Sequence, residues 1–163
     1  MWKLFCSCLA IGAVAAFAFG GAAQAGEAKI SGLYPAVPND SSVVAKDDGS
    51  SVVVFDLKGM LAVADTSNPW HNAIMDCNGI GAYDPDGTIK TEGGTCMITD
   101  ADGDVQRLPW ETTSPEGGVW AIAGGTGKFA DMTGSGTWVA ESLDDGRLQN
   151  TWTFTQITPD VTN

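Results

Sequence analysis

Four groups of residues in this chain have types and spacings that chemistry uses. The stretch "GGTGKFADMTGSG", residues 124–136, joins glycines, a lysine and short hydroxyl side chains, as phosphate-cradling loops do. A P-loop needs G-x-x-x-x-G-K-[ST], because backbone amides must wrap phosphate while a hydroxyl holds magnesium. With Lys128 as the lysine, the first glycine falls on Ile122 and the hydroxyl on Phe129, so both requirements fail. The dinucleotide fingerprint fits letter by letter at Gly125, Gly127 and Ala130. It must open a helix, however, and Thr133-Gly134-Ser135-Gly136 cuts any helix short. The geometric reading survives. Gly124, Gly125 and Gly127 permit positive φ and close backbone approach, Phe129 and Met132 tuck back beneath, and Gly134 and Gly136 let the next strand bend. Lys128 is then expected in solvent.

The second group is "DADGD", in which Asp100, Asp102 and Asp104 offer three carboxylates at alternate positions, a pattern suited to calcium. An EF-hand loop places its glycine sixth, whereas Gly103 is fourth. Asp-Gly is also a strong hairpin signal, and it recurs at Asp48-Gly49, Asp86-Gly87 and Asp145-Gly146. Repetition favours a turn over a metal site, and no metal or other cofactor is expected. Third, His71 is the single histidine, and without a G-x-S-x-G nucleophile it reads as a strand-end side chain. Asp76 and Glu141 lie nearest to strand centres, but alternation points both outward. Fourth, Cys77 and Cys96 are the two cysteines left beyond the leader. In an exported chain two cysteines most often pair, the alternatives being a redox couple or half a metal site.

The elements that hold these groups read as strands. "SVVVFDL", a turn at Lys58-Gly59, "MLAVAD", "HNAIMDC", "GTCMIT", "VQRLPWETT", "GVWAIA", "GTWVAESL" and "RLQNTWTFTQIT" make eight, with glycine and aspartate turns between them. Only "KFADM" fits a helical turn. In the last strand Leu148, Asn150, Trp152, Phe154 and Gln156 share a face, and in the strand before it Trp138 and Ala140 go together. Trp120 and Ile122 do the same one strand earlier. Tryptophans in step on successive strands predict one aromatic-lined interior, and short connections predict an antiparallel barrel, whose closure leaves no raw edges. Asn150 and Gln156 fall on that inner face, where an amide must meet backbone, water or a ligand.

Residues 1–25 read as a signal peptide: Lys3, an apolar run from Leu4 to Phe19, and a small-x-small close at Ala23-Gln24-Ala25. The run is short for a membrane span, which needs about 20 apolar residues. Residues 26–50, with Pro35 and Pro38, read as an extended N-terminal segment without regular structure, and residues 51–163 as one β-barrel domain. The formal charge of −12 becomes one unit more negative once Lys3 is removed. So acidic a surface excludes nucleic acid and, after cleavage, the membrane as partners. The expected location is exported, periplasmic or extracellular.

The G-G-T-G-x-F pattern followed by G-x-G before a strand resembles the loop shared by allene oxide cyclases, plant dirigent proteins and their small secreted bacterial relatives. Those relatives tend to carry two spaced cysteines, a D-x-D-G-D turn and a tryptophan before the loop. Here these are Cys77 and Cys96, Asp100, Asp102 and Asp104, and Trp120. The resemblance is specific from about Trp110 to Phe154 and implies an eight-stranded calycin-like barrel, trimeric in many plant members, so a homo-oligomer (trimer or dimer) is expected. No catalytic residue carries over to a matching position. The expected role is binding a small apolar or aromatic molecule in the barrel mouth, walled by Trp120, Trp138, Trp152 and Phe154 and oriented by Asn150 or Gln156. The alternatives are an enzyme that confines and shapes a reactive intermediate, and a structural or assembly protein with a filled core.

Overall fold

The computed structural model describes the backbone of residues 27–35, 40–145 and 147–158, and the side chains of residues 41–154 apart from 146. The leader expected over residues 1–25 and the Gln156 side chain lie outside the described residues. Nine strands form one antiparallel sheet: β1 (Glu27–Pro35), β2 (Asp40–Ala45), β3 (Ser51–Ala62), β4 (Ile74–Tyr83), β5 (Ile89–Thr99), β6 (Val105–Ser114), β7 (Gly117–Ala121), β8 (Thr133–Ser142) and β9 (Arg147–Thr158). Strands β3 to β9 are neighbours in sequence order, β1 lies beside β9, and β1 also pairs with the far end of β3. That last pairing, Lys29 to Ala62 and Ile30 to Leu61, closes eight strands into a barrel. The ninth, β2, folds back on the first half of β3.

Three corrections to the sequence reading follow. Within the segment 26–50, expected to lack regular structure, Glu27–Pro35 and Asp40–Ala45 are paired strands: β1 finds its hydrogen-bond partners in β9 across the barrel and β2 in β3. Lys58-Gly59 makes no turn, because both residues pair with β4 inside β3, opposite Asp76 and Met75. Strands β4 and β5 also run on through Gly79, Gly81, Gly93 and Gly94, in register throughout except for a shift at Ala82 and Tyr83. Glycine weakens a strand in isolation. Here neighbouring strands supply the ladder, and the space a Cβ would need at Gly79 is filled by the Phe55 and Trp110 rings.

The barrel is packed at one end. Trp70, on the connection between β3 and β4, stacks on Phe154 with ring centroids 4.7 Å apart. Trp120 meets Phe154 edge-on and Trp152 at a tilt. Phe129 and Met132 close this end from beneath the glycine loop, both fully or almost fully buried. Each buried indole removes on the order of 200 Å² from water, about 5 kcal/mol at ~25 cal/mol per Å². Polar groups inside the plug find partners: the Trp70 indole donates to Gln106 Oε1 at 2.6 Å, and Gln106 Nε2 reaches Met132 Sδ.

The glycine loop carries a single 3-10 turn, Gly127–Phe129. Gly124 and Gly127 have positive φ, at 113° and 47°. A Cβ on Gly125 would lie 2.6 Å from Phe129 Cβ, so this glycine is where the loop presses on the plug. The Lys128 side chain is exposed, and its charge is paired. Its ammonium lies 2.7 Å from Asp100 Oδ2 and 2.8 Å from Asp102 Oδ2, and its amide donates to Asp104 Oδ2. The amide and the charge that a phosphate would use are therefore engaged by carboxylates of the same chain.

Candidate functional site

Above the plug the barrel is hollow. A cavity of about 270 Å³ opens toward the end where β3, β5, β7 and β9 begin. Its position follows from side-chain size along the inward-facing registers. Near the plug β4 and β5 present Met75, Cys77, Cys96 and Ile98, all buried, whereas further along they present Gly79 and Gly94. The wall thins where large side chains give way to glycine. The floor includes Met75, Trp152 and Cys77–Cys96, a disulfide with an S–S distance of 2.00 Å between directly opposed residues. It answers the cysteine question in favour of a cross-link.

The walls are aromatic. Trp110 from β6 meets Trp138 from β8 edge-on at 87° with centroids 5.8 Å apart, and Phe55 from β3 packs against Trp110 at 6.2 Å. Of the six side chains expected to contact a ligand, Trp138, Asn150 and Trp152 line the cavity. Trp120 and Phe154 do not. They face inward, but lie one layer lower in the packed end, where Trp120 Nε1 donates to Thr137 O. Phe55 and Trp110 take their places as walls. Four polar atoms on lining residues are buried without a hydrogen-bond partner among the described residues: Nε1 of Trp110, Trp138 and Trp152, and Oδ1 of Asn150. Buried unpaired groups cost roughly 1–3 kcal/mol each and are rare enough in native structures to call for an explanation.

One acid stands among these rings. Glu92, on β5, is the single charged residue of the lining among the described residues. Tyr83 Oη donates to its Oε1 at 3.0 Å and Thr112 Oγ1 to its Oε2 at 2.9 Å. Burial, and then the charge and the hydrogen bond of Glu92, push the Tyr83 hydroxyl pKa up to about 12. Glu92 escaped the sequence reading because "KTEGGT" looks like a loop. The signal was nevertheless present: counting back in twos from Ile98 through Cys96 and Gly94 reaches Glu92 on the same face.

The other acid–base candidates lie elsewhere. Asp76 is exposed on the outer face and pairs with Lys58 at 3.2 Å, and Glu141 is exposed. His71 sits in a turn before β4, its Nδ1 2.6 Å from Val63 O and its Nε2 beside Asn72 Nδ2. Asp100, Asp102 and Asp104 form a turn whose carboxylates already hold Lys128, and Asp100 Oδ1 accepts the amides of Asp102 and Asp104. Gly49, Gly87 and Gly103 share φ near +85°, so three of the Asp-Gly pairs serve as the same turn device. Among the described residues, no three His, Cys, Asp or Glu side chains converge to hold a metal ion.

No protein-family model matches the chain, and no curated protein does. Among solved structures it is similar to the pterocarpan synthase dirigent protein, with 15% identity over 80% of this chain and 82% of that one and a TM-score of 0.49. This likeness transfers no residue of the site.

Proposed function

We propose that the protein is an exported barrel that binds a small apolar or aromatic molecule in its open end. The supporting observation is the asymmetry of the interior: one half is sealed by Trp70, Phe129 and Met132, the other is left as an aromatic-walled cavity. A volume of about 270 Å³ suits a compact one- or two-ring molecule, near the lower limit of ligand pockets. Buried polar atoms on Trp110, Trp138, Trp152 and Asn150 would gain partners from a ligand carrying acceptors and donors. The Cys77–Cys96 cross-link suits an oxidising compartment outside the cytoplasm. Native mass spectrometry of protein purified from its own host is expected to show a co-purifying small molecule that Trp138→Ala weakens by at least tenfold. A barrel that is empty in every preparation and binds no ring compound would dispose of this reading.

One observation favours catalysis as a second reading. Glu92 places a carboxylate beside any molecule in the cavity, and confinement with a few aimed dipoles suffices for cyclisation or isomerisation of a reactive intermediate. Under this reading Glu92→Gln abolishes turnover while leaving ligand affinity within a fewfold. A binding protein would show no turnover to lose.

A further inference from the structure

The charge balance of the cavity points to a particular class of ligand. Glu92 is the only charged residue of the lining among the described residues, and the two groups that hold it, Tyr83 and Thr112, are neutral hydroxyls. The lysine nearest in sequence, Lys90, is turned away: it is half exposed and bound to Asp84. Glu92 is half-buried in the cavity wall, and its hydroxyl donors leave its charge uncompensated. The surrounding surfaces are those that favour positive charge. Phe55, Trp110 and Trp138 form adjoining walls, and the faces of aromatic rings attract cations, tryptophan most strongly. The whole chain adds to this with a formal charge of −12, which concentrates cations near any opening.

We propose that the cavity takes an organic cation, a compact ammonium-bearing ring whose charged group pairs with Glu92 while its apolar body lies against Trp110, Trp138 and Phe55. This rests on the small-molecule reading above and narrows it. Tyr83 and Thr112 then act as positioning residues that aim both carboxylate oxygens, leaving the ammonium to approach along the remaining lone pairs. An aromatic cation of this kind satisfies at once the two features a neutral ring would leave unmatched, the uncompensated carboxylate and the exposed π faces.

The test uses three probes that share one ring and nearly one shape but differ in charge: benzylammonium, benzyl alcohol and benzoate. Their affinities are measured by tryptophan fluorescence and calorimetry on the full mature protein at neutral pH. The cation is expected to bind at least about tenfold tighter than the alcohol, a difference of about 1.4 kcal/mol, with benzoate weakest. Glu92→Gln is expected to bring the cation-to-alcohol ratio close to one, while Tyr83→Phe, which keeps the carboxylate, preserves most of the preference. Equal binding of cation and alcohol, or a preference that survives Glu92→Gln, would overturn the assignment yet leave the small-molecule reading standing. Failure of all three probes to bind would remove both. The comparison of probes on the unaltered protein decides the matter even where a variant does not fold.

Discussion

The Tyr83 hydroxyl is an internal reporter of the site. Its pKa is pushed up to about 12 by burial first, and then by the Glu92 charge and hydrogen bond. Replacing Glu92 with Gln removes the second influence and leaves the first, so the titration should move down but stay above the ordinary value near 10. Absorbance titration in a Tyr34→Phe background follows this one phenol, and an unmoved midpoint would mean that no charge faces it. Gln106 offers a second point test. It is fully buried and accepts the Trp70 indole hydrogen bond. Gln106→Leu leaves that N–H unpaired and should cost about 3 kcal/mol in urea unfolding. Lys128 offers a third. Burial tends to raise the Asp100 pKa, but the Lys128 hydrogen bond and the Asp104 and Asp102 amides outweigh it, so the folded value is lowered, while the Lys128 value is raised. The Asp100 contribution is therefore present above about pH 4 and is lost as acid titrates the folded carboxyl. The Lys128 contribution is present below about pH 10 and is lost as base deprotonates the folded ammonium. The thermal midpoint gap between the protein and Lys128→Met should be widest between those limits and narrow on both sides.

Strands β4, β5 and β8 owe their course to glycines, and here local pattern and structure part company. Gly136 sits at a register shift between β8 and β9, where a Cβ would lie 2.0 Å from Thr153 O and 2.5 Å from the Trp120 ring. The clash is with backbone, which cannot yield cheaply, so Gly136→Ala should cost at least about 2 kcal/mol. Gly79 is a different case. Its added Cβ would meet Phe55 at 2.7 Å and Trp110 at 2.9 Å, both ring atoms of the cavity wall. Gly79→Ala should push those rings into the open space, and a loss of ligand affinity larger than the loss of stability would identify it. The same glycines explain what sequence could and could not show. The alternating positions of β9 were legible, and Trp138, Asn150 and Trp152 came out on the inner face. The outer halves of β4 and β5 were not, because Gly79, Gly81, Gly93 and Gly94 carry no side-chain pattern and resemble turns until neighbouring strands supply their hydrogen bonds.

Across the whole molecule, two kinds of connection hold the barrel together. One is the pairing of β1, which joins it to β9 across more than a hundred positions and to β3 nearer in the chain. The other is the Cys77–Cys96 cross-link, which spans a sequence separation of 19. A loop of that size is worth about 3 kcal/mol on the chain-entropy model. The Cys77→Ala/Cys96→Ala double variant should lose that much in urea unfolding, and a negligible loss would mean that the ladder alone sets the register between β4 and β5.

What the residues determined by themselves was local: a run of β-branched and aromatic alternation, Asp-Gly turns needing positive φ, and two cysteines free to pair. From these an all-β barrel with indoles inside follows, since each feature is decided by neighbours within a few positions. What only the tertiary structure decided was depth. Trp120 and Trp138 alternate equally well in sequence, yet one is packed in the plug and the other walls the cavity, because height along a barrel is set by how staggered strands meet. The same geometry brought Tyr83, Glu92 and Thr112 together and gave Lys128 to the aspartates, contacts between positions that no local period connects.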